Sequence, residues 1–267
     1  MTSSAFSSLW RSLPVDFNSK IETCIDDAVE RTGSKGPVHV FFRADDVAVP
    51  GRQFARLMDL FTRHRAPLSL AVVPAWLSRT RWKSLKRLGQ KAPSLWCWHQ
   101  HGWRHANHEP AGKKQEFGPG RSLSGIHRDL GKGRRRLENL LGKDFYPIFT
   151  PPWNRCDFRT LDLLLKSGYR AVSRYRGSLP FSPDGLPDVF ANVDLHTRKA
   201  MNPAGDWDRL YAEFDRSVAS GLCGIMIHHR KMNNLSFTFV DTLLHLLRGR
   251  KDISLVHLGD MAEVLSK

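Results

Sequence analysis

The sequence predicts an α/β protein that folds as a distorted (β/α) barrel of about seven parallel strands in a single domain. Short apolar runs alternate with helical patterns from Pro37 onward, which is typical of parallel strands joined by crossover helices. Seven or eight such units in roughly 230 residues suit a (β/α) barrel, which takes about 250. No repeat or linker divides this stretch. We therefore expect a helical lead-in at residues 1–36 and a barrel domain at residues 37–267.

Runs rich in β-branched and aromatic residues predict the strands. Val38–Arg43, with the sequence VHVFFR, is the first of them. The later predicted strands are Leu68–Val73, Leu95–Trp98, Tyr146–Phe149, Ala171–Ser173, Val189–Val193, Gly224–Ile227 and Ser254–Leu258.

Helical periodicity fills the segments between these runs. The lead-in contains one predicted helix, Phe17–Arg31, which ends near Gly33. The other predicted helices are Gly51–His64, Ser78–Gly89, Ser124–Leu141, Phe158–Ser167, Asp206–Ser220, Phe237–Leu247 and a terminal helix after the last strand.

The chain has 267 residues and a formal net charge of +15. This charge predicts attraction to anionic partners, including peripheral contact with an anionic membrane. The basic residues are scattered, and the run KGRRR at 132–136 falls in a predicted helix, where it indicates a solvated face. Single-stranded nucleic-acid binding combines a basic groove with stacking aromatics. No such stripe is present in the sequence, so we expect no specific nucleic-acid partner.

The N-terminal residues lack an apolar export segment, and no apolar run of about 18 residues follows, so no transmembrane segment is expected. The four cysteines are widely spaced and form no CxxC pair. In a chain of this size they are interpreted as reduced core thiols. Both features predict a cytoplasmic location.

Four of the twelve histidines fall in the segment HQHGWRHANH at 99–108. His101 and His105 have the spacing i, i+4, so one turn of chain could bring both imidazoles to one point. Neutral imidazole is the commonest side-chain metal ligand, and two histidines with one carboxylate are typical of a hydrolytic zinc site. A polar, histidine-rich loop is the alternative interpretation of this segment.

Polar residues follow five of the predicted strands. They are Asp45 and Asp46, His101 and His105, the segment TPPWN at 150–154, Asp194 and His196, and His228 and His229. The C-terminal strand ends of a parallel barrel open on one face, and active sites are built there. A single aspartate after a strand is often only a helix N-cap, but five such strand ends together favour a catalytic site.

The segments FFRADDVAVP, HGWRH, FTPPWN and GIMIHH resemble degenerate motifs of NodB-type polysaccharide deacetylases, carbohydrate esterase family 4. They occur in that family's order and cover about residues 37–260. The resemblance implies a distorted (β/α) barrel that removes N- or O-acetyl groups from sugars with a divalent metal ion.

The resemblance also implies roles for individual residues. Asp45 would be the general base, and Asp46, His101 and His105 would hold one divalent metal ion, with zinc favoured by their nitrogen and oxygen donors. His228 would be the general acid. Asp194 is a candidate to keep His228 charged, because a carboxylate raises the pKa of a nearby imidazolium.

Several positions depart from the family pattern. Thr150 stands where the family has arginine, Gly102 where it has serine or threonine, and Val47 and Asn154 where it has glycine. Arg43 lies two residues before Asp45, so strand alternation points both side chains to the same face. Our hypothesis is that Arg43 takes over the task of the missing arginine.

Four residues in the motifs are predicted to contact substrate: Trp103, Pro152, Trp153 and Asn154. The tryptophans could stack on a sugar ring or simply pack in the core. Glu116 and Arg121, in the loop after the histidine segment, are further substrate-binding candidates, because long loops in compact domains are often functional.

Three functions remain open from the sequence. The favoured one is a metal-dependent deacetylase acting on an N-acetylated sugar or glycoconjugate. The second is a related amidohydrolase acting on a small non-peptide amide. The third is a non-catalytic, basic binding module on the same barrel, which would have no need of the Asp-Asp and His-x-x-x-His sets.

Overall fold

The computed structural model describes residues 7–33, 36–198 and 203–265. The strands are β1 Val38–Val47, β2 Leu68–Val72, β3 Trp96–His101, β4 Phe145–Thr150, β5 Ala171–Val172, β6 Val193–Asp194, β7 Leu222–Ile227 and β8 Ile253–Val256. The helices are α1 Phe17–Thr32, α2 Arg52–His64, α3 Arg79–Gly89, α4 Leu123–Leu141, α5 Phe158–Lys166, α6 Pro203–Ala219, α7 Asn234–Leu247 and α8 Leu258–Val264.

The strands are hydrogen-bonded in the order β5-β4-β3-β2-β1-β7-β6, and β8 pairs with β1. The pairs β1–β7, β1–β8, β3–β4, β4–β5 and β6–β7 are parallel. Helices connect most successive strands, as parallel pairing requires. The predicted α/β class is confirmed, and the described residues form eight strands, within the seven or eight units that the sequence predicts.

Two strands extend further into the polar motifs than the sequence predicts. β1 continues through Asp45 and Asp46 to Val47, and β3 continues to His101, which pairs with Thr150 of β4. Polar residues are uncommon inside buried strands, so apolar patterning ends the predicted strands too early. Pairing with the neighbouring strand decides the true ends.

The sixth predicted strand, Val189–Val193, is wrong over most of its length. Only Val193–Asp194 forms a strand there, and it pairs with β7. Val189 instead donates its backbone N–H to the carbonyl of Val172 in β5 at 2.8 Å. The apolar run is therefore divided between two pairing partners, which periodicity cannot reveal.

The chain divides into two compact units, of which the first comprises Met1–Ala44, Gly51–Leu68 and Ala191–Val256. In this unit α1 packs against α6 and buries Ile21, Ile25 and Ala28. Trp10, from the polar lead-in, is 2% exposed, and its Nε1 donates to the carbonyl of Leu195 at 2.8 Å. The lead-in thus supplies core residues, and a domain boundary at residue 36 stays a prediction.

The second unit comprises Asp45–Pro50, Ser69–Phe190 and His257–Lys267. Its apolar core includes Phe117, Ile126, Phe149 and Leu161, all buried, and Trp103 packs partly against this cluster. Burying such side chains is worth roughly 1.5–3 kcal/mol each before entropy is counted. This core supports β3, β4 and α4, which carry the histidine segment and the loops beside it.

The four cysteines are free, and Cys97, Cys156 and Cys223 are buried. Burial raises the pKa of the Cys156 thiol to about 12, so this thiol is protonated and unreactive near neutrality. Within residues 7–33, 36–198 and 203–265, no helix is both long and apolar enough to cross a membrane.

Candidate metal centre

Asp46, His101 and His105 lie together in the second unit. Asp46 Oδ1 is 3.4 Å from His101 Nε2 and 3.2 Å from His105 Nε2. One ligand atom from each residue can be chosen so that all lie within 4.8 Å of one another. Two imidazole nitrogens and one carboxylate oxygen form a donor set that first-row divalent metals accept. The geometry therefore fits a divalent metal ion.

The backbone around two of these residues is strained. Asp46 and His105 have φ values of 61° and 58°, in the left-handed region that side chains other than glycine rarely adopt. Strained backbone persists where the surroundings over-determine it, and such residues cluster at functional sites. The turn after β3 brings His101, the last residue of that strand, and His105, in the following loop, to the carboxylate of Asp46.

Thr150 sets the orientation of His101. The ring Nδ1 of His101 lies 2.9 Å from the Thr150 carbonyl, so this nitrogen carries the proton and donates it. Nε2 then faces Asp46, where it donates to the carboxylate when protonated and offers its lone pair to a metal ion when neutral. The Thr150 hydroxyl meets His99 Nε2 at 2.9 Å. His99 therefore supports Thr150 in the layer behind the ligands.

The two ligand histidines have opposite pKa shifts. Burial lowers the pKa of His105, and the nearby His101 lowers it further. Burial also disfavours the charged form of His101, but the hydrogen bond to Asp46 and the charge of Asp45 outweigh it and raise its pKa. Asp45 itself is 3% exposed. The carboxylates of buried Asp45 and half-buried Asp46 favour a cation at this point, whether a proton or a metal ion.

Glu116 holds the loop that carries His105. Its buried carboxylate accepts backbone N–H groups from Trp103 at 3.1 Å, Arg104 at 2.6 Å and His105 at 3.2 Å. Both oxygens of Glu116 thus accept backbone N–H groups of this loop, and its predicted role in substrate binding stays a prediction. Nothing in the local sequence pattern indicated this contact.

Gly102 is required beside Glu116. Its φ is +60°, and a Cβ at this position would meet the Glu116 carboxylate and lie 2.6 Å from Pro152 Cγ. The serine or threonine of the family pattern has no room here. The buried Glu116 carboxylate occupies that place and braces the loop instead.

Aromatic rings surround His105. The ring of Trp153 is 4.4 Å from the His105 ring, and that of Trp76 is 5.9 Å away. Trp153 and Asn154 have φ values of 57° and 58° on a 3-10 turn, Pro152–Asn154. Asparagine tolerates this conformation better than most residues, which explains Asn154 at the family's glycine position. Trp76 was not among the predicted site residues.

Asp194, His228 and Arg43, which were also predicted to belong to the site, lie in the first unit. Asp194 Oδ1 accepts the backbone N–H groups of His196 and Thr197, each at 2.9 Å, and Oδ2 accepts the Thr197 hydroxyl. This carboxylate therefore caps its own turn. Its role beside His228 stays a prediction, since among the described residues its bonds go to this turn.

The two adjacent histidines after β7 differ in burial. His229 is 3% exposed and packs edge-on against Phe54, with ring centroids 5.3 Å apart. His228 is half-buried, and its backbone N–H donates to His196 Nδ1 at 3.3 Å. His196 is itself buried beside Trp10. Burial lowers the pKa of His196 well below the usual value, and the neighbouring His228 and Lys231 add to this effect.

Arg43 is fully buried in the first unit, and its Nη2 lies 3.2 Å from Met226 Sδ. A buried guanidinium is costly unless it is well paired, so Arg43 must be held in this position by specific contacts. Its predicted task toward Asp45 stays a prediction.

Asp46 of β1, His101 of β3 and His105 of the following loop together form a candidate centre for a divalent metal ion. No family model matches the chain, and no curated protein matches it significantly. Solved structures do. A protein from Mycobacterium smegmatis, provisionally named a polysaccharide deacetylase, has a TM-score of 0.66 at 14% identity, over 87% of this chain and 91% of that one.

Two further structures are similar. A family 4 acetyl xylan esterase from Clostridium thermocellum, solved with cobalt, has a TM-score of 0.52 at 12% identity, over 85% of this chain and 91% of that one. A CE4-family pseudoenzyme from Bacillus anthracis has a TM-score of 0.52 at 12% identity, over 86% of this chain and 66% of that one. The chain therefore has the fold of the NodB-like CE4 deacetylases, and the predicted distorted (β/α) barrel is confirmed.

Proposed function

We propose that this protein is a metal-dependent hydrolase that removes an acetyl group from an N-acetylated sugar or glycoconjugate. The convergence of Asp46, His101 and His105 within a CE4-type fold carries the proposal. Similar structures bear the names deacetylase and acetyl xylan esterase, but one is a pseudoenzyme. Fold alone does not decide activity, so the three candidate ligands are what favour a hydrolase over an inactive relative.

Asp46, His101 and His105 would hold one divalent ion, and zinc suits their donors. Such an ion would polarise the acetyl carbonyl and acidify a bound water. The hydrogen bond from His101 Nδ1 to Thr150 keeps that imidazole in the ligating tautomer. Glu116 keeps His105 in place through the backbone.

Asp45 would accept the proton from the attacking water at its carboxylate. It precedes the ligand Asp46 and is buried, so the base adjoins the ligand set along the chain. The Asn154 N–H already donates to the Pro151 carbonyl at 2.9 Å. We therefore assign stabilisation of the developing oxyanion to the Trp153 N–H, in the manner of backbone donors in acyl-transfer enzymes.

His228 would protonate the departing amine. It is half-buried, whereas His229 is enclosed against Phe54, so His228 is the histidine more available to a substrate. The Trp153 ring beside His105 offers an apolar face on which a sugar ring could stack.

The test combines metal analysis with acetate release from a panel of N-acetyl sugars and small amides. We expect about one divalent ion per chain and acetate release from at least one sugar. His101→Ala should lose both, while His127→Ala, an exposed histidine on α4, should keep both. A fully active metal-free protein would overturn the proposal.

Two other outcomes identify the alternatives. A metal-loaded protein that cleaves small amides but no acetylated sugar is an amidohydrolase. A metal-free, inactive protein with salt-sensitive retention of nucleic acid is a basic binding module.

A further inference from the structure

A cavity of about 330 Å³ lies in the second unit, beside the histidine segment. Its lining residues are Trp103, Arg104, His108, Arg121, Arg128, Asp129 and Lys132. This volume is at the lower end of small-molecule sites, which hold roughly 300–1,000 Å³. It would accommodate one compact polar group and part of a sugar.

The lining carries an excess of positive charge. Its one carboxylate, Asp129, is occupied by Arg121 at 2.7 Å and by Arg128 at 3.4 Å. Among the described residues, Arg104 and Lys132 have no carboxylate partner. Four cations against one anion leave the cavity strongly attractive to a ligand with more than one negative charge.

The cavity is built on the same loop as the metal centre. Trp103 and Arg104 stand between the ligands His101 and His105, and Glu116 accepts their backbone N–H groups. Arg121 donates to the Glu116 carbonyl at 3.4 Å. A group bound in the cavity would thus be positioned by the loop that positions His105.

We propose that this cavity binds the phosphate of a phosphorylated N-acetyl sugar and so selects the substrate class. The proposal rests on the function proposed above. Phosphate carries up to two charges and accepts paired hydrogen bonds from guanidinium groups, which suits Arg104 better than a single carboxylate would. Asp129 holds Arg121 and Arg128 in place. Arg104 and Lys132 supply the cations that engage the phosphate.

Binding can be measured without deacetylation, by calorimetry with glucose 1-phosphate and with glucose. We expect the wild type to bind only the phosphate ester. Arg104→Glu/Lys132→Glu should weaken this binding at least tenfold. The matched control, Lys83→Glu/Arg87→Glu on α3, makes the same change in net charge at exposed positions outside the cavity and should stay within twofold of wild type.

Three results would overturn the proposal. They are no preference for the phosphate ester, equal losses in the two double variants, and equally strong competition by single-stranded RNA, which would indicate a nonspecific basic surface. Circular dichroism verifies that each variant is folded. If a charge-reversed variant is unfolded, Arg104→Gln/Lys132→Gln replaces it and should still weaken binding severalfold.

Acetate release then distinguishes the sources of the phosphate. Substrates are UDP-N-acetylglucosamine, polyprenyl-diphosphate-linked N-acetylglucosamine in liposomes, and free N-acetylglucosamine. We expect at least one phosphorylated substrate to exceed the free sugar tenfold in kcat/KM, an advantage lost in Arg104→Glu/Lys132→Glu. Equal turnover of all three overturns this inference but leaves the proposed function intact. Phosphate binding without any acetate release contradicts the proposed function instead.

Discussion

The backbone N–H of His105 donates a hydrogen bond to Glu116 Oε2 at 3.2 Å, which joins a candidate metal ligand to a carboxylate 11 positions away. The same carboxylate accepts from Trp103 and Arg104. Burial raises the pKa of Glu116, and these three N–H groups oppose that shift. Two oxygens therefore satisfy three donors, and the loop geometry depends on both of them.

Glu116→Gln should loosen this loop. An amide keeps one accepting oxygen but presents an N–H₂ group to at least one backbone donor, and a buried unsatisfied group costs about 1–3 kcal/mol. We expect lower metal affinity and a lower free energy of unfolding, measured by metal titration and urea denaturation. Glu109→Gln is the control, because Glu109 is more exposed and, within the described part of the chain, its carboxylate accepts a single N–H, that of Gly120. Unchanged metal affinity in Glu116→Gln would refute this account.

Single substitutions should show that Asp45 acts as the general base and Asp46 as a metal ligand. Asp46→Asn should lower metal occupancy, because its Oδ1 is the atom shared by both histidines. Asp45→Asn should retain the metal but lower kcat by about 10²- to 10⁴-fold, the usual worth of a positioned base. Metal content and acetate release are measured on the same preparations. Near wild-type turnover in Asp45→Asn would mean that another residue is the base.

Replacing His228 should lower catalytic activity, whereas replacing His229 should lower stability. His228→Ala should slow cleavage of an amide far more than cleavage of an activated ester, whose leaving group needs little protonation. His229→Ala should lower the free energy of unfolding by about 2 kcal/mol, since it leaves a cavity against Phe54. Kinetics with paired substrates and urea denaturation distinguish the two. The opposite pattern would assign the acid to His229.

His196 should make stability depend on pH. Its folded-state pKa is depressed, so below pH 6.5 the unfolded chain binds the proton more readily, and stability is lost as the pH falls. The loss between pH 7.5 and 5.5 is at most about 1.4 kcal/mol. His196→Asn retains an acceptor for the His228 N–H without titrating in this range. Urea denaturation of both proteins should show a shallower pH dependence in the variant, and parallel curves would contradict the assignment.

The position of Trp10 shows how far local patterning can mislead. The residues around it are polar, which predicts a lead-in outside the core. In the structure its ring packs against Phe239 and Trp207, and its carbonyl accepts from Asn233 Nδ2 at 2.7 Å. These partners are about 200 residues distant, so no window of sequence around Trp10 contains them. The cytoplasmic location expected from the sequence stays a prediction.

The sequence by itself determined the α/β class, most helices and strands, and the residue types of the candidate metal centre. Apolar periodicity reports which face of a segment is buried, and the His101 and His105 spacing places two imidazoles within one turn of chain. Tertiary structure alone decided the rest. It fixed the pairing that ends β3 at His101, the division of the 189–193 run, and the hold of Glu116 on the ligand loop. Each depends on contacts between residues distant in the chain, whose hydrogen bonds must be satisfied once they are buried, and that requirement exists only in the folded protein.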